Sequence, residues 1–189
     1  GHIIEVGHGS VLEHCVWNLL IAGVSRSFTH ELIRHRAGFG YSQLSQRYVD
    51  ESESEFVEPE CIASDPGLHE LWLDAVRHSR AAYSRLSDEL FARFSEVADK
   101  TLRRKMARQA ARSVLPNATE TKIFVTANAR ALRHFIELRC NEHADTEIRV
   151  VAAMVLRVMR AEAPNIFADY SLVDLPDGTQ AARTPHRKV

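Results

Sequence analysis

The sequence predicts a helix-rich α+β protein folded as one domain over residues 1–189, and three observations carry that expectation. The chain has 189 residues with 45% hydrophobic content, enough to bury one core and short for two. From Pro66 onward, apolar residues recur at three- and four-residue steps over long stretches. Between and before those stretches lie short apolar runs without helical periodicity, which read as strands.

Taken in order, residues 15–24 mix Val, Trp, Leu and Ile and predict a strand. Ser25 suits the cap of a short helix over 26–35, whose Phe28, Leu32 and Ile33 share a face. Gly38 and Gly40 break regularity, and 41–49 reads as extended structure leaving a loop. Residues 51–60 are acidic and prolyl, the composition of a surface connection. Pro66 opens a long helix, marked by Leu68, Leu71, Trp72, Val76, Tyr83, Leu86, Leu90 and Phe94. Asp99 caps a second helix to about Val114, ended by Pro116. Ile123, Phe124 and Val125 centre a strand over 121–126, and Asn128 caps a helix to about Arg139. A last helix carries Ile148, Val151, Ala152, Val155, Leu156 and Met159 and stops before Pro164. Residues 167–189 read as a polar tail with one strand-like piece at 170–173.

Lys and Arg total 24 against 25 Asp and Glu, a formal charge of -1, which excludes the simplest polyanion-coating protein. Only four of the 24 basic residues are lysines (Lys100, Lys105, Lys122 and Lys188), so 20 are arginines. Arginine's rigid fork suits phosphates and carboxylates, although a GC-rich genome produces the same bias. Cys15, Cys61 and Cys140 form no even framework and no C-x-x-C pair, which fits a reducing cytosol. Cys15 and Cys140 read as small core residues. With no run of 18 apolar residues and no signal-peptide pattern, a soluble cytoplasmic protein without a membrane partner is expected.

The densest signal for chemistry is Arg34-His35-Arg36, followed after a Gly-containing loop by Ser42-Gln43-Leu44-Ser45-Gln46-Arg47-Tyr48. Three adjacent cationic side chains cannot all face one core. In an extended segment Ser45 and Arg47 point the same way, and an arginine beside a hydroxyl and backbone N–H groups can hold a phosphate. A solvated basic helix end is the alternative for Arg-His-Arg alone; the attached Ser-x-Arg favours phosphate. A second cluster is His8, Gly9, Ser10, Glu13 and His14, and a third is Arg139 with Glu142, His143, Asp145 and Glu147. Were the third helical, Arg139 and His143 would share a face. The spacing matches no metal pattern, so no metal is expected, and a polar helix start accounts for Glu142, Asp145 and Glu147. Arg112, where a helix gives way to a strand, reads by itself as a surface ion pair. There is no G-x-S-x-G elbow, Walker loop or G-x-G-x-x-G, so in an enzyme a bound cofactor would carry the hard chemistry while arginines orient anions.

These blocks resemble the signature of the flavin-dependent thymidylate synthases, the ThyX family. The resemblance extends through His8-Gly9-Ser10-Val11-Leu12-Glu13-His14, Gly23-Val24-Ser25-Arg26-Ser27-Phe28, Ala111-Arg112-Ser113-Val114-Leu115-Pro116, Asn128-Ala129-Arg130 and Leu138-Arg139 through Glu142-His143-Ala144, all in family order. Two departures stand out. Eight residues, 37–44, separate Arg-His-Arg from Ser45 where the motif is usually written with seven. The family's first strand is short or missing before His8, as a trimmed or partly disordered N-terminus would leave it.

The resemblance implies a mainly antiparallel sheet flanked by helices, in a homotetramer with active sites shared between chains. It implies FAD as cofactor, with methylenetetrahydrofolate and NADPH as cosubstrates, for reductive C5 methylation of dUMP to dTMP. Carried over by position, His8, Ser10, Arg34, His35, Arg36, Asn128, Arg130, His134 and His143 would hold FAD. Glu31, Arg34, Gln43, Leu44, Ser45, Gln46, Arg47, Arg112 and Arg139 would hold the nucleotide, Gln43 also reaching the cofactor. Arg139 and Ser45 would be the catalytic positions, Ser45 as a ligand rather than a nucleophile because no base is paired with it. A relative that methylates the ribonucleotide UMP in nucleoside-antibiotic pathways shares the same motifs. From other classes, the arginines could make an RNA-binding module or the chain a structural oligomerisation protein. The charge of -1 and the lack of a basic aromatic sheet motif stand against RNA.

Overall fold

β-branched and aromatic runs become the strands β1 (Val16–Ser25), β2 (Phe39–Gln43) and β3 (Glu120–Asn128), joined in one sheet in the order β1-β3-β2. The computed structural model describes residues 2–187. Along β3 burial alternates, with Thr121, Ile123, Val125 and Ala127 inward and Lys122 and Phe124 outward, as the two-residue period of a strand requires. The Asn128 N–H donates to Gly38 O and the Leu44 N–H to Lys122 O, so β2 and β3 run antiparallel. The Arg26 N–H on Thr119 O and the Ala129 N–H on Cys15 O give β1 and β3 the same relation.

The helices are α1 (His2–Glu5), α2 (Arg26–Leu32), α3 (Glu60–Ala63), α4 (Pro66–Arg93), α5 (Lys100–Ala111), α6 (Ala129–Arg139), α7 (Thr146–Glu162) and α8 (Pro164–Phe167), with short 3₁₀ turns at Gly9–His14 and Arg112–Val114. This is the helix-rich α+β class expected. Four helices start on side-chain caps that accept orphan N–H groups. Asp65 takes those of Gly67 and Leu68, Asp99 those of Thr101 and Leu102, Asn128 that of Ala131 and Asp145 that of Glu147.

The chain divides into two compact units, the first comprising Gly1–Ile21, Phe28–Ser42 and Phe124–Val189, the second Ala22–Ser27 and Gln43–Ile123. In the first, α6 packs on α7 and buries Leu132, Phe135 and Ile136 with Ile148, Ala152, Leu156 and Met159. In the second, α4 packs on α5 over Val76, Tyr83, Ala107 and Ala111. Among the described residues no helix is long and apolar enough to cross a membrane.

Several expected elements are corrected. α2 stops at Leu32, not His35, and its first N–H groups, on Arg26 and Ser27, go to the carbonyls of Thr119 and Asn117. The extended run expected over 41–49 ends at Gln43; the Tyr48 and Val49 N–H groups both turn back to Ser45 O. Glu51 is no surface residue: it is 5% exposed and its N–H donates to the Tyr83 hydroxyl at 3.2 Å. Of the apolar stripe on α4, only Val76 and Tyr83 are buried, while Leu68, Leu71 and Leu86 stay exposed. The polar tail contains a hairpin, β4 (Ser171–Asp174) antiparallel to β5 (Gln180–Arg183) with Ser171 opposite Arg183. Ala181 and Ala182 of β5 are buried and the Ala182 N–H donates to Cys140 O, pairing that residue type alone does not advertise. Residues 188 and 189 of the expected tail lie outside the described residues.

Candidate functional site

In the first unit, chemistry gathers where α2 ends. The Arg34 N–H bonds Glu31 O and the His35 N–H bonds Leu32 O, a tight turn that leaves Arg34 and Arg36 exposed and buries His35. Tyr41 fixes this turn: its hydroxyl lies 2.6 Å from the His35 carbonyl and 2.9 Å from that of Leu32, a bifurcated donation. Burial raises its phenol pKa, so it stays protonated and able to donate.

The His35 ring meets Phe135 edge-on at 5.3 Å and lies near Phe39 and His134. Burial first, then the neighbouring Arg139 and His134, lowers its pKa from 6.5 to about 4. A neutral imidazole is what the geometry uses: the Arg139 Nε–H donates to His35 Nε2 at 2.9 Å, which puts the ring proton on Nδ1. Arg139 Nη1 is paired with Glu31 Oε2 at 2.8 Å. Arg139, at the last turn of α6, is thus aimed by a carboxylate and an imidazole together.

The start of α6 carries the next set. Asn128 caps it through Ala131, and Gly38, with φ +74°, comes so close that a Cβ there would lie 2.8 Å from the Asn128 side chain and from Ala131 Cβ. Only glycine fits that approach. Arg130 reaches Glu13 of the Gly9–His14 turn at 2.6 Å, next in chain to His8 and Ser10, which are both exposed. His134 is exposed. The face that Arg139 and His143 were expected to share does not form, because α6 ends at Arg139; His143 sits in the following turn with its N–H on Asn141 Oδ1. Asp145 serves as the cap of α7, and Glu142 pairs with Arg183.

The second unit holds the other set. The alternation expected for Ser45 and Arg47 gives way to a turn in which Ser45 Oγ accepts the Arg47 N–H at 3.4 Å and Gln46 is buried. Gln43 Nε2 donates to Thr121 Oγ1 at 3.4 Å, and Leu44 is exposed. Gln46 Nε2 and Arg47 Nε are buried donors with no hydrogen-bond partner. Arg80, Arg133 and Arg149 bury such a nitrogen as well, but Gln46 and Arg47 are adjacent in one turn, where a single acceptor from outside the chain would serve both. Arg112 makes no ion pair with a carboxylate among the described residues, contrary to the surface pair expected; its charge acts on Arg26 instead. The Arg26 guanidinium is lowered in pKa by burial and by Arg112, against the opposing pull of Glu51. Glu51 is raised by burial, while Arg26 pulls it down.

Sequence reasoning did not single out Tyr41, Phe39, Phe135, Arg26 or Glu51 as parts of these clusters. For Arg26 a signal existed in its place within the Gly23–Phe28 block; the aromatic residues carry none. Among the described residues no group of three or more His, Cys, Asp or Glu is placed to hold a metal ion.

Comparison with known proteins gives a consistent result. The family described as thymidylate synthase complementing protein matches residues 1–165. The flavin-dependent thymidylate synthase of Mycolicibacterium vanbaalenii is 56% identical over 184 residues, covering 97% of this chain and 73% of that protein. Those of Mycobacterium marinum and Mycobacterium tuberculosis are each 54% identical over the same length and shares.

Proposed function

The chain belongs to the family of the flavin-dependent thymidylate synthases, and from that premise we propose that it methylates C5 of dUMP to give dTMP, with FAD bound, methylenetetrahydrofolate as carbon donor and NADPH as reductant. The observation that carries the nucleotide part is the adjacent pair of buried, unpartnered donors Gln46 Nε2 and Arg47 Nε, in a unit where Arg112 makes no ion pair among the described residues. A phosphate monoester supplies the missing acceptors and charge. Ser45 and Gln43 add polar contacts from the same turn, with Leu44 beside them.

Arg139 is the residue that polarises the reacting base, and its aim comes from Glu31 and neutral His35. The chemistry needs no nucleophile from the chain, because bound flavin would supply the hydride that completes the methyl group. Ser45 accordingly acts as a ligand: its Oγ accepts a backbone N–H, and among the described residues no imidazole or carboxylate takes its proton. For FAD, exposed Arg34, Arg36, Arg130, His8, Ser10, His134 and His143 offer cationic and polar contacts, and Asn128 and His35 sit behind them. An anionic, planar cofactor fits a donor set rich in arginine and imidazole.

Self-association into a tetramer with shared active sites is part of the proposal. On α7, Val150, Met154 and Val158 repeat every four residues and are 40%, 55% and 50% exposed, an apolar stripe left uncovered among the described residues. Val16 and Leu20 of β1 are likewise exposed.

The deciding experiment uses the purified protein: its flavin spectrum, the perturbation of that spectrum by dUMP and by UMP, and turnover of each nucleotide. A yellow protein that methylates dUMP in preference to UMP is expected. Failure to take up FAD removes the proposal, and preference for UMP reassigns the substrate. Ser45→Ala should retain measurable turnover, whereas a trapped seryl–nucleotide adduct would overturn its assignment as a ligand.

A further inference from the structure

We propose that the basic face of α5 binds a γ-linked oligoglutamyl chain, the tail carried by reduced folates, and so favours polyglutamylated over monoglutamyl cosubstrate. The inference rests on the reading of a reduced folate as carbon donor and deepens it. Its origin is a run of cations that breaks two local rules. Residues 100–112 hold six cations (Lys100, Arg103, Arg104, Lys105, Arg108 and Arg112) and no carboxylate. Cations at the first turns of a helix oppose its dipole, and like charges four apart, as at Lys100, Arg104 and Arg108, repel. A sequence that violates both preferences at once marks a functional surface.

Two of the six are committed to the fold. Arg103 lies over the Phe91 ring at 4.2 Å and bonds the carbonyl of Ala92 near the end of α4. Arg108 pairs with Asp50 at 2.7 Å and donates to Tyr48 O. Lys100, Arg104 and Lys105 make no ion pair among the described residues; Arg104 and Lys105 rest against the rings of Phe91 and Tyr48. Aromatic support of this kind steadies a cation and leaves its charge unneutralised. The one acid sharing the cleft beside Arg104 that is not already paired is Asp88, and it is exposed.

Position and spacing name the ligand. Lys105 and Arg108 hold Tyr48, next in chain to Arg47, and the row ends at Arg112, so the basic face leads to the proposed nucleotide contacts within one unit. Cations four residues apart on a helix stand about 6 Å apart along its axis. A γ-linked glutamyl chain presents one carboxylate every 6 Å or so, roughly the 3.8 Å α-peptide step lengthened by two carbon–carbon bonds. A single phosphate lacks that match, whereas a phosphodiester strand shares it, so position beside the proposed nucleotide contacts decides between them and single-stranded RNA is the competitor in the test.

The test reads binding and turnover separately. Fluorescein-labelled penta-γ-glutamate is titrated into the protein and into the triple variant Lys100→Gln, Arg104→Gln, Lys105→Gln, all three residues lying outside the proposed cofactor and nucleotide contacts. Saturable binding that weakens about tenfold in the variant and with added salt is expected for three exposed charge contacts. In steady state the KM for pentaglutamyl methylenetetrahydrofolate should lie well below that for the monoglutamate, and the variant should erase the difference while leaving monoglutamate turnover unchanged. Equal peptide binding by both proteins overturns the proposal, as does tighter binding of single-stranded RNA than of the peptide. Absence of dUMP methylation in the wild type would remove the proposed function, while the peptide titration still decides whether α5 holds the oligoanion.

Discussion

In the first unit Arg133 has both terminal nitrogens on Asp169, at 2.7 and 2.8 Å, and Arg139 is shared between Glu31 and His35. In the second, Arg47 and Arg112 make no ion pair among the described residues, and the charge of Arg112 acts on another guanidinium, that of Arg26. The same side chain therefore plays two physical parts. Where the chain supplies the acceptors, arginine locks geometry before any ligand arrives. Where it withholds them, the desolvation cost is left for a bound anion to offset. Preorganisation by Arg133 and Arg139 falls in the first unit and anion affinity at Arg47 and Arg112 in the second, so substitutions at these positions should fail in different assays.

The largest effect belongs to Arg133. Its side chain is 0% exposed, it donates to Ile166 O, and it lies over the Tyr170 ring at 4.7 Å. Arg133→Met leaves Asp169, 13% exposed, without its counter-charge, and should cost about 3–5 kcal/mol of stability in chemical denaturation. A loss under about 1 kcal/mol would show that the first unit does not depend on this pair.

Next comes the pH dependence that His35 imposes on the first unit. Its folded pKa of about 4 lies below the ordinary 6.5, so between those values the unfolded chain binds more protons. Stability should be fully present above pH 6.5, fall as the pH drops towards 4, and level off below it. The full swing attributable to this group is about 3 kcal/mol. In His35→Gln, whose amide oxygen can still accept from Arg139, denaturation midpoints should lose this component between pH 6.5 and 4; an unchanged slope would place the titration elsewhere.

The second unit should respond in affinity and not in stability. Arg47→Ala and Arg112→Ala each remove a charge-assisted phosphate contact of about 1.5–3 kcal/mol and should weaken nucleotide binding by roughly tenfold or more. Because neither side chain makes an ion pair among the described residues, their melting temperatures should match the wild type. Unchanged nucleotide affinity in both variants would dissolve the contrast between the units.

The contrast also explains what could be read from the sequence. Caps at Asp99 and Asn128 and the span of α4 were legible because a cap and a helical period are local properties. The Arg-His-Arg and Ser-Gln-Arg blocks were legible as anion chemistry for the same reason. The turn at Ser45 was not, because alternation of polar and apolar residues suits a strand equally well, and burial of Gln46 depends on distant packing. Glu51 looked like a surface acid until Arg26, 25 residues earlier, came beside it. The second strand of the tail hairpin, with its buried alanines, becomes visible only once Cys140 O is there to receive the Ala182 N–H.

The smallest expected effect tests the exception within the first unit. Arg130 is paired with Glu13 at 2.6 Å, yet the two side chains are 48% and 49% exposed, unlike the buried Arg133 pair. An exposed pair of this kind is worth about 0.2–1 kcal/mol, little enough for a bound pyrophosphate to exchange for it. Arg130 thus belongs with the ligand-seeking arginines although it lies among the locked ones. Glu13→Gln should leave stability within about 0.5 kcal/mol of wild type and tighten FAD binding by a small factor, since the guanidinium no longer has to leave a carboxylate. Calorimetric titration of the apoprotein with FAD makes the measurement. Weaker FAD binding in that variant would mean that Glu13 positions Arg130 for the cofactor, and that this pair too is a lock.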